Sequence, residues 1–284
     1  MVKELFRPAT KKEAVSLLAR HKGKAKVLAG GTDLIVLMRA GKVQPEVLVS
    51  LNRVKGLRNL SYSSRNGLRI GALVTHSELM ENEAVQRHYP VLMETAKTLA
   101  GPPVRNAASV AGNLCHAAPS ADFAPPLLTL DASVVLFGPK GERTVPLPEF
   151  FKAPNKTVLA EDEILSEIRV PSPAEGSGAS YLKLGVRSAM EIAMVSVAAS
   201  LTRANGKCTG VRVALGAVAP TPMLAESAAG AAEGKAPSAE VFAKAGEAAA
   251  KESKPITDIR ASAEYRKKMV AVLTRRALAR AAGL

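Results

Sequence analysis

Two glycine-containing segments hold most of the residues in this sequence that could bind an anionic ligand. The first is Leu28-Ala29-Gly30-Gly31-Thr32-Asp33-Leu34, which lies between a strand pattern and a helix pattern. Glycine permits positive φ and a close approach of the backbone, so successive amides can converge on one anion. Thr32 adds a hydroxyl donor, and the start of the following helix adds partial positive charge. Taken alone, this segment is better explained as a tight strand-to-helix turn that binds nothing.

The second segment is Ser109-Val110-Ala111-Gly112-Asn113, and Asp122 follows it. It offers amides and side-chain donors within a short span, and Asp122 could accept a hydrogen bond from a ribose or from loop amides. A surface loop, with an aspartate that caps a helix at Pro125-Pro126, explains the same residues. Two such segments in one chain favour a ligand of the size of FAD or NAD.

Other chemistries lack their motifs. The sequence has no Gly-x-Gly-x-x-Gly after a strand, no Walker A motif, no His-Glu-x-x-His and no Gly-x-Ser-x-Gly. Cys115 and His116 are adjacent, and we interpret them as packing or loop residues, with a reactive thiol as the alternative. The cysteines Cys115 and Cys208 are too few for a four-thiolate zinc or iron–sulfur site, so no metal site is predicted.

Composition and charge restrict the class of protein. The 284 residues are 47% hydrophobic and 23% charged, which indicates a folded chain of two domains or one elongated domain. No apolar stretch approaches the roughly 20 residues of a membrane span, and the N-terminus has no signal-peptide core, so we expect a cytoplasmic protein. The net charge of +14 favours a solvated basic surface first, a docking surface for an acidic partner second, and nucleic acid third. Aromatic residues are only 4% and tryptophan is absent, which argues against base stacking.

The elements that must position these segments follow from capping and periodicity. Thr10 and Glu13 form a capping box that begins a helix, which Gly23 ends. The predicted elements after it are a strand at 26–29, a helix from about Leu34, strands at 47–51 and 68–72, a helix opened by the Thr75–Glu78 capping box, a helix at 91–99, a long irregular stretch at 100–121, a helix at Pro125-Pro126, a hairpin within 132–145 and a half-buried strand at 164–170.

A Pro- and Gly-rich linker, Pro171 to Gly178, marks a domain boundary. Beyond it, strands are predicted at 195–202 and 211–218, and Asn205-Gly206 is typical of a hairpin turn. From about Met223 the chain is alanine-rich and helical, and its last helix begins at about Ser262.

At the two glycine segments the chain closely resembles the FAD-binding medium subunit of the molybdenum hydroxylases, a family that includes xanthine, carbon monoxide and nicotinate dehydrogenases. The motifs that carry the resemblance are Ala29-Gly30-Gly31-Thr32-Asp33-Leu34, Val104-Arg105-Asn106, Ser109-Val110-Ala111-Gly112-Asn113 with Asp122, Ile164-Leu165, and Tyr181-Leu182-Lys183-Leu184-Gly185-Val186-Arg187. Their order and spacing match over nearly the whole chain.

The resemblance implies an α+β fold. A two-lobed FAD-binding domain of the vanillyl-alcohol-oxidase type would occupy residues 1–175, with lobes at about 1–57 and 58–175. A small α+β domain of the molybdenum hydroxylase flavoprotein type, with a three-stranded antiparallel sheet and helices, would occupy residues 176–284.

The resemblance also implies roles for particular residues. The first segment, from Val27 to Leu34, and the second, from Ser109 to Asn113, would hold the FAD diphosphate. Lys183 would lie beside the oxygen edge of the flavin and favour its reduced form, as the one residue with a catalytic role. The cofactor-binding residues implied in full are Val27, Leu28, Ala29, Gly30, Gly31, Thr32, Asp33, Leu34, Leu99, Ser109, Val110, Ala111, Gly112, Asn113, Asp122, Leu165 and Lys183. Tyr181 is a further candidate to approach the ring.

Two departures from the family pattern affect these expectations. Ala111 stands where many relatives have a second glycine, which requires a negative φ there. Thr32-Asp33 replaces the His-Ser of carbon monoxide dehydrogenases and favours a xanthine-, nicotinate- or aldehyde-type complex. The two cysteines exclude the four-cysteine cluster that a subgroup carries in this subunit.

The function implied is that of an FAD-carrying electron-transfer subunit of an oxidoreductase complex. An iron–sulfur small subunit would deliver electrons from a molybdopterin large subunit, within a dimer of heterotrimers, and the flavin would pass them to NAD, a quinone, dioxygen or another acceptor. The alternatives are a free-standing FAD-dependent oxidoreductase acting directly on a small substrate, and a nucleic-acid-binding protein, which we do not expect.

Overall fold

The N-terminal elements form a small parallel sheet that ends at the first glycine segment. The computed structural model describes residues 2–187 and 190–284. Its first elements are β1 (Glu4–Phe6), α1 (Lys11–Arg20), β2 (Ala25–Leu28), α2 (Leu34–Arg39) and β3 (Val47–Ser50). The strands pair in the parallel order β1-β3-β2, with β3 buried in the centre. Because β2 ends at Leu28, the glycine segment leaves the sheet at the carboxyl end of a parallel strand.

The middle of the chain forms an antiparallel sheet with helices. The sheet has the order β4-β5-β10-β6-β7, so the late strand β10 lies at its centre, and β8 and β9 form a separate pair. The elements in sequence are β4 (Leu60–Ser63), β5 (Gly67–Gly71), α3 (His76–Glu81), α4 (Glu83–His88), α5 (Pro90–Thr98), α6 (Pro102–Arg105), α7 (Val110–His116), α8 (Ala124–Thr129), β6 (Ser133–Gly138), β7 (Gly141–Pro146), α9 (Leu147–Phe150), β8 (Phe151–Ala153), β9 (Lys156–Thr157) and β10 (Ile164–Val170).

The C-terminal part is an antiparallel sheet covered by helices. The predicted three strands are present, and a two-residue strand extends the sheet to the order β11-β12-β13-β14. Asn205 and Gly206 both have positive φ, +50° and +73°, which confirms the predicted hairpin turn. The elements are β11 (Ser177–Leu184), β12 (Val195–Ala204), β13 (Lys207–Gly216), β14 (Met223–Leu224), α10 (Glu226–Ala232), α11 (Ala239–Glu252) and α12 (Ala263–Ala281).

Helix α8 joins the two halves of the molecule. Its residues are all buried, and it packs on β11, β12 and β13. Tyr181 and Ala198 of the C-terminal sheet belong to the same hydrophobic core as the central sheet, while a second core lies beneath α10 to α12. In the part of the chain that the structure describes, none of the helices combines the length and apolar character needed to cross a membrane.

Several local predictions need correction. Thr10 caps α1, but the Glu13 carboxylate accepts from the amide of Ala9 at 2.8 Å and not from Thr10 as predicted. The stretch 100–121 contains two short helices, α6 and α7, because Pro102 and Ser109 begin them and tertiary contacts hold them.

Two strand predictions also change. Ser177 and Gly178, assigned to the linker, pair with Thr202 and Leu201 in β11 and β12. The predicted alternation of the strand at 164–170 is confirmed by the burial of Ile164, Ser166, Ile168 and Val170, but Leu165 on the opposite face is buried too, and the register shifts between Leu165 and Glu167.

Candidate cofactor site

The two glycine segments lie directly against each other. A Cβ built on Gly30 would stand 1.9 Å from the carbonyl oxygen of Ala107 and 3.1 Å from the amide nitrogen of Ala108. Ala108 is followed by Ser109, so this contact seats the first segment on the start of the second. Glycine at position 30 is therefore required for the contact between the loops, whether or not a ligand is bound.

The first segment presents open backbone amides. Gly31 has a φ of +74°, which an L side chain rarely adopts, and α2 begins three residues later with Asp33 as an N-cap that makes no side-chain hydrogen bond. The amides of Gly31, Thr32 and Asp33 have no acceptor among the described residues. Three such backbone donors at a strand-to-helix turn are suited to a phosphate group.

The second segment forms the first turn of α7, and most of its amides are already used. Val110 donates to Val74 O at 3.2 Å, Gly112 to Ser109 Oγ at 3.0 Å and Asn113 to Ser109 O at 3.0 Å. Ala111 lies within the helix and is absent from the positive-φ residues, so the departure from the family pattern is tolerated. The amide of Ala111 remains without an acceptor among the described residues. Sequence reasoning treated these five residues alike, and the structure distinguishes them.

Asp122 belongs to a buried ion pair. Its Oδ2 accepts from Lys183 Nζ at 3.0 Å and its Oδ1 accepts from the Tyr181 hydroxyl at 2.7 Å. The Lys183 ammonium also donates to the carbonyl of Thr98 at 3.3 Å. The side chains of Lys183 and Asp122 are only 8% and 11% exposed. Burial raises the pKa of Asp122, against the opposing influence of Lys183 and Tyr181, and burial raises the pKa of Tyr181 well above its ordinary value.

These contacts revise two expectations about Asp122. Asp122 does not cap a helix, because α8 has Phe123 at its N-cap and no side-chain cap. Both of its oxygens are occupied within the protein, so its partners are Lys183 and Tyr181 and not loop amides. The Tyr181 hydroxyl donates to Asp122, a contact that the sequence indicated only through the i, i+2 spacing of Tyr181 and Lys183 on one strand, and the approach of Tyr181 to a flavin ring stays a prediction.

His76 contacts residues on either side of the second segment, and sequence reasoning did not name it as a candidate site residue. Its amide donates to Ala108 O at 3.1 Å, and its ring stacks on Phe123 with centroids 4.7 Å apart. Asn113 Oδ1 accepts from the amide of Phe123 at 3.2 Å, so His76 and Asn113 both connect the second segment to the residue beside Asp122. Burial lowers the pKa of His76 to about 4, which keeps the imidazole neutral. Its place within the Thr75–Glu78 capping box is the signal that could have found it.

Leu99 and Leu165 are both buried, at 7% and 4% exposure. Leu99 follows α5, and its carbonyl accepts from Arg105 Nη1 at 2.9 Å. Leu165 lies opposite Leu136 near the start of β10, at the bulge. Cys115 packs against the main core, and burial raises its pKa to about 12, which supports the packing interpretation.

The arrangement of the two segments and the ion pair is that of a dinucleotide-binding protein. Two loops lie in contact, and the first has backbone amides without acceptors in the part of the chain that the structure describes. A buried cation, Lys183, is paired with Asp122, which follows the second loop. A dinucleotide site requires such parts, namely donors for a diphosphate and a charged group beside a ring. These residues fit FAD.

Comparison with known proteins gives the family. Residues 1–173 match the family described as the FAD binding domain in molybdopterin dehydrogenase, and residues 180–281 match the CO dehydrogenase flavoprotein C-terminal domain. This chain belongs to the family of FAD-binding medium subunits of molybdenum hydroxylases. That result confirms both the resemblance and the fold class inferred from the motifs.

Individual relatives are similar along their whole length. The chain is 34% identical to a putative xanthine dehydrogenase FAD-binding subunit of Escherichia coli strain K12, covering 97% of this chain and 94% of that one. It is 35% identical to the carbon monoxide dehydrogenase medium chain of Hydrogenophaga pseudoflava, covering 97% and 95%.

Solved structures of relatives superpose on the whole chain. A carbon monoxide dehydrogenase from Hydrogenophaga pseudoflava superposes with a TM-score of 0.96 at 36% identity, covering 100% of this chain and 98% of that one. Quinoline 2-oxidoreductase from Pseudomonas putida 86 gives a TM-score of 0.93 at 30% identity, covering 100% and 97%.

Proposed function

We propose that this chain carries FAD at the paired loops and transfers electrons within a molybdenum hydroxylase complex. The observation that supports this most directly is the seating of Gly30 on Ala107, which places open amides of the first segment next to the second. The amide of His76 donates to the carbonyl of Ala108, and Asn113 accepts from the amide of Phe123. These two hydrogen bonds connect the loops to the Asp122–Lys183 pair.

Within this proposal the residues divide into two groups. The segments 27–34 and 109–113 would hold the diphosphate, the first through open amides and the second through the amide of Ala111 and polar side chains. Leu99, Leu165 and Lys183 would lie near the ring. FAD bound here would supply the chemistry of accepting electrons and passing them on.

Lys183 would supply a charge, and Asp122 would moderate it. An ammonium in a site with little water interacts strongly with electron density on a neighbouring ring. Because Asp122 is within 3.0 Å of the ammonium, part of that charge is compensated inside the protein. The pair therefore gives the chain a means of setting how strongly a bound flavin holds electrons.

The partners would be an iron–sulfur small subunit and a molybdopterin large subunit, in a dimer of heterotrimers in the cytoplasm. Helix α2 supports docking next to the first segment, because it has no buried residue, and Ile35 and Val36 are 42% and 61% exposed. The net charge of +14 favours partners with acidic surfaces. Thr32-Asp33 favours a xanthine-, nicotinate- or aldehyde-type complex, with NAD, a quinone, dioxygen or another molecule as acceptor.

The test is the absorption spectrum of the purified chain, with mass spectrometry of the cofactor released on denaturation. We expect a flavin spectrum and the mass of FAD, with no turnover of hydroxylation substrates until the partner subunits are added. A colourless protein that gains no FAD on reconstitution would refute the proposal. Turnover of a small substrate by the isolated chain would favour the free-standing oxidoreductase instead.

A further inference from the structure

Tyr181 contributes a buried hydroxyl to the centre of the proposed site. The residue is 5% exposed, and its hydroxyl donates to Asp122 Oδ1 at 2.7 Å, while Lys183 occupies Oδ2 at 3.0 Å. Each carboxylate oxygen thus has its own donor. Two donors on different oxygens fix the rotation of a carboxylate, whereas one donor alone would leave it free to turn.

The fold presents both donors from one strand. Tyr181 and Lys183 are two residues apart on β11, so they lie on the same face and both reach Asp122, which precedes α8 on the other domain. Lys183 and Tyr181 are the titratable groups that act on Asp122, and the Thr98 carbonyl of α5 accepts from the same ammonium. The phenol is therefore the second hydrogen-bond donor to a carboxylate whose side chain is 11% exposed.

We propose that Tyr181 is a positioning residue that keeps Asp122 in place as the counter-ion of Lys183, and so sets how much of the lysine's charge acts on the flavin. This inference rests on the proposed function, since it assumes FAD beside Lys183. Tyr181 itself need not touch the cofactor.

Loss of the Tyr181 phenol should favour the reduced flavin at acidic pH. Without the Tyr181 hydroxyl, the Asp122 anion loses a charge-assisted hydrogen bond and binds a proton about tenfold more readily. Protonation removes the negative charge beside Lys183 and leaves the ammonium uncompensated. An uncompensated cation favours the electron-rich reduced flavin, so the effect appears on acidification and disappears at higher pH.

The experiment compares Tyr181→Phe with Tyr89→Phe in the FAD-loaded chain. Tyr89 is a matched control, because it is also buried and its hydroxyl also donates within the protein, to the carbonyl of Pro171 at 2.9 Å and to that of Val170 at 3.5 Å. The readout is the ratio of reduced to oxidised flavin at a fixed ambient potential from about pH 5 to about pH 8, followed by absorbance. FAD content and unfolding midpoint are measured on the same samples.

We expect Tyr181→Phe to raise the reduced-to-oxidised ratio about threefold or more at the acid end relative to the wild type, with little change at the alkaline end. Tyr89→Phe should follow the wild type throughout. Replacing Tyr181 with 3-fluorotyrosine, a stronger donor, should shift the pH dependence in the opposite direction, and this variant keeps the test available if the phenylalanine variant does not fold.

Two further variants separate failure of this inference from failure of the proposed function. If Asp122→Asn and Lys183→Met change the flavin ratio while Tyr181→Phe leaves it and its pH dependence unchanged, Tyr181 has no positioning role although the FAD site stands. An equal shift in Tyr89→Phe would also overturn the inference. If none of the substitutions at 122, 181 or 183 affects the flavin, the FAD placement itself is wrong.

Discussion

At the scale of single residues, the Asp122–Lys183 pair connects stability to the proposed chemistry. Sequence resemblance pointed to both residues separately, but neither composition nor spacing showed that they pair with each other or with Tyr181. The pairing depends on β11 meeting the end of the 117–123 segment, a contact between parts of the chain some sixty residues apart in sequence. Residue types were predictable, and their mutual contacts were not.

Replacing Lys183 with methionine should leave a buried, unpaired carboxylate. We expect the free energy of unfolding to fall by about 3–5 kcal/mol, because breaking one side of a buried pair leaves an uncompensated charge. Adding Asp122→Asn should recover most of that loss, as measured by urea denaturation. Lys97→Met, at an exposed position on α5, is the control. Equal losses in the single and double variants would contradict a buried ion pair.

His76 should make stability depend on pH. Its pKa falls from 6.5 to about 4 on folding, so the unfolded chain binds a proton that the folded chain excludes. Stability is therefore complete above about pH 6.5 and is lost as the pH falls towards 4, by about 3 kcal/mol in all. Urea denaturation across this range should show the slope, and His76→Phe, which keeps an aromatic ring on Phe123, should reduce it. An unchanged slope would assign the acid sensitivity to other groups.

At the scale of elements, capping signals predicted helix starts well, whereas short helices held by tertiary contacts were missed. Ser262 and the Thr75–Glu78 box begin helices as predicted. Helices α6 and α7 have four and seven residues, too few for a periodic pattern, and α7 depends on the bond from Val110 to Val74 O. The sequence of 100–121 looks irregular because the structure of this segment depends on contacts with other parts of the chain.

The contact between the loops can be tested at Gly30. A methyl group on Gly30 would overlap the Ala107 carbonyl, so Gly30→Ala should push the loops apart and reduce FAD affinity about tenfold or more, with a loss of stability. Gly230→Ala is the matched control, because nothing lies within 4 Å of a Cβ there and the position is helical. FAD affinity can be measured by flavin fluorescence quenching on reconstitution. Wild-type affinity in Gly30→Ala would show that the loops need not touch.

At the scale of the whole molecule, the unpartnered apolar surface of α2 bears on assembly. The helix expected from about Leu34 is present, but none of its residues is fully buried within the chain. A hydrophobic run in a sequence cannot distinguish burial in the chain's own core from burial against a partner. The predicted domain boundary stays a prediction, which rests on the linker at 171–178 and on the change to an alanine-rich composition after it.

We expect Val36→Asp to weaken binding to the iron–sulfur subunit about tenfold or more, because a charge would be buried in an apolar contact, while FAD content stays unchanged. Ile259→Asp is the control, since Ile259 is 98% exposed and lies in the C-terminal part of the chain. Co-purification of the partner subunits with each variant provides the measurement. Full assembly of Val36→Asp would exclude α2 from the interface.

The most direct test of the central claim is a crystal structure of the chain with FAD bound. It should place the diphosphate between residues 29–34 and 109–113, with the flavin ring beside Lys183 and the Asp122–Lys183 pair intact. A structure in which FAD lies away from both glycine segments, or in which those segments separate while the cofactor is bound, would contradict it.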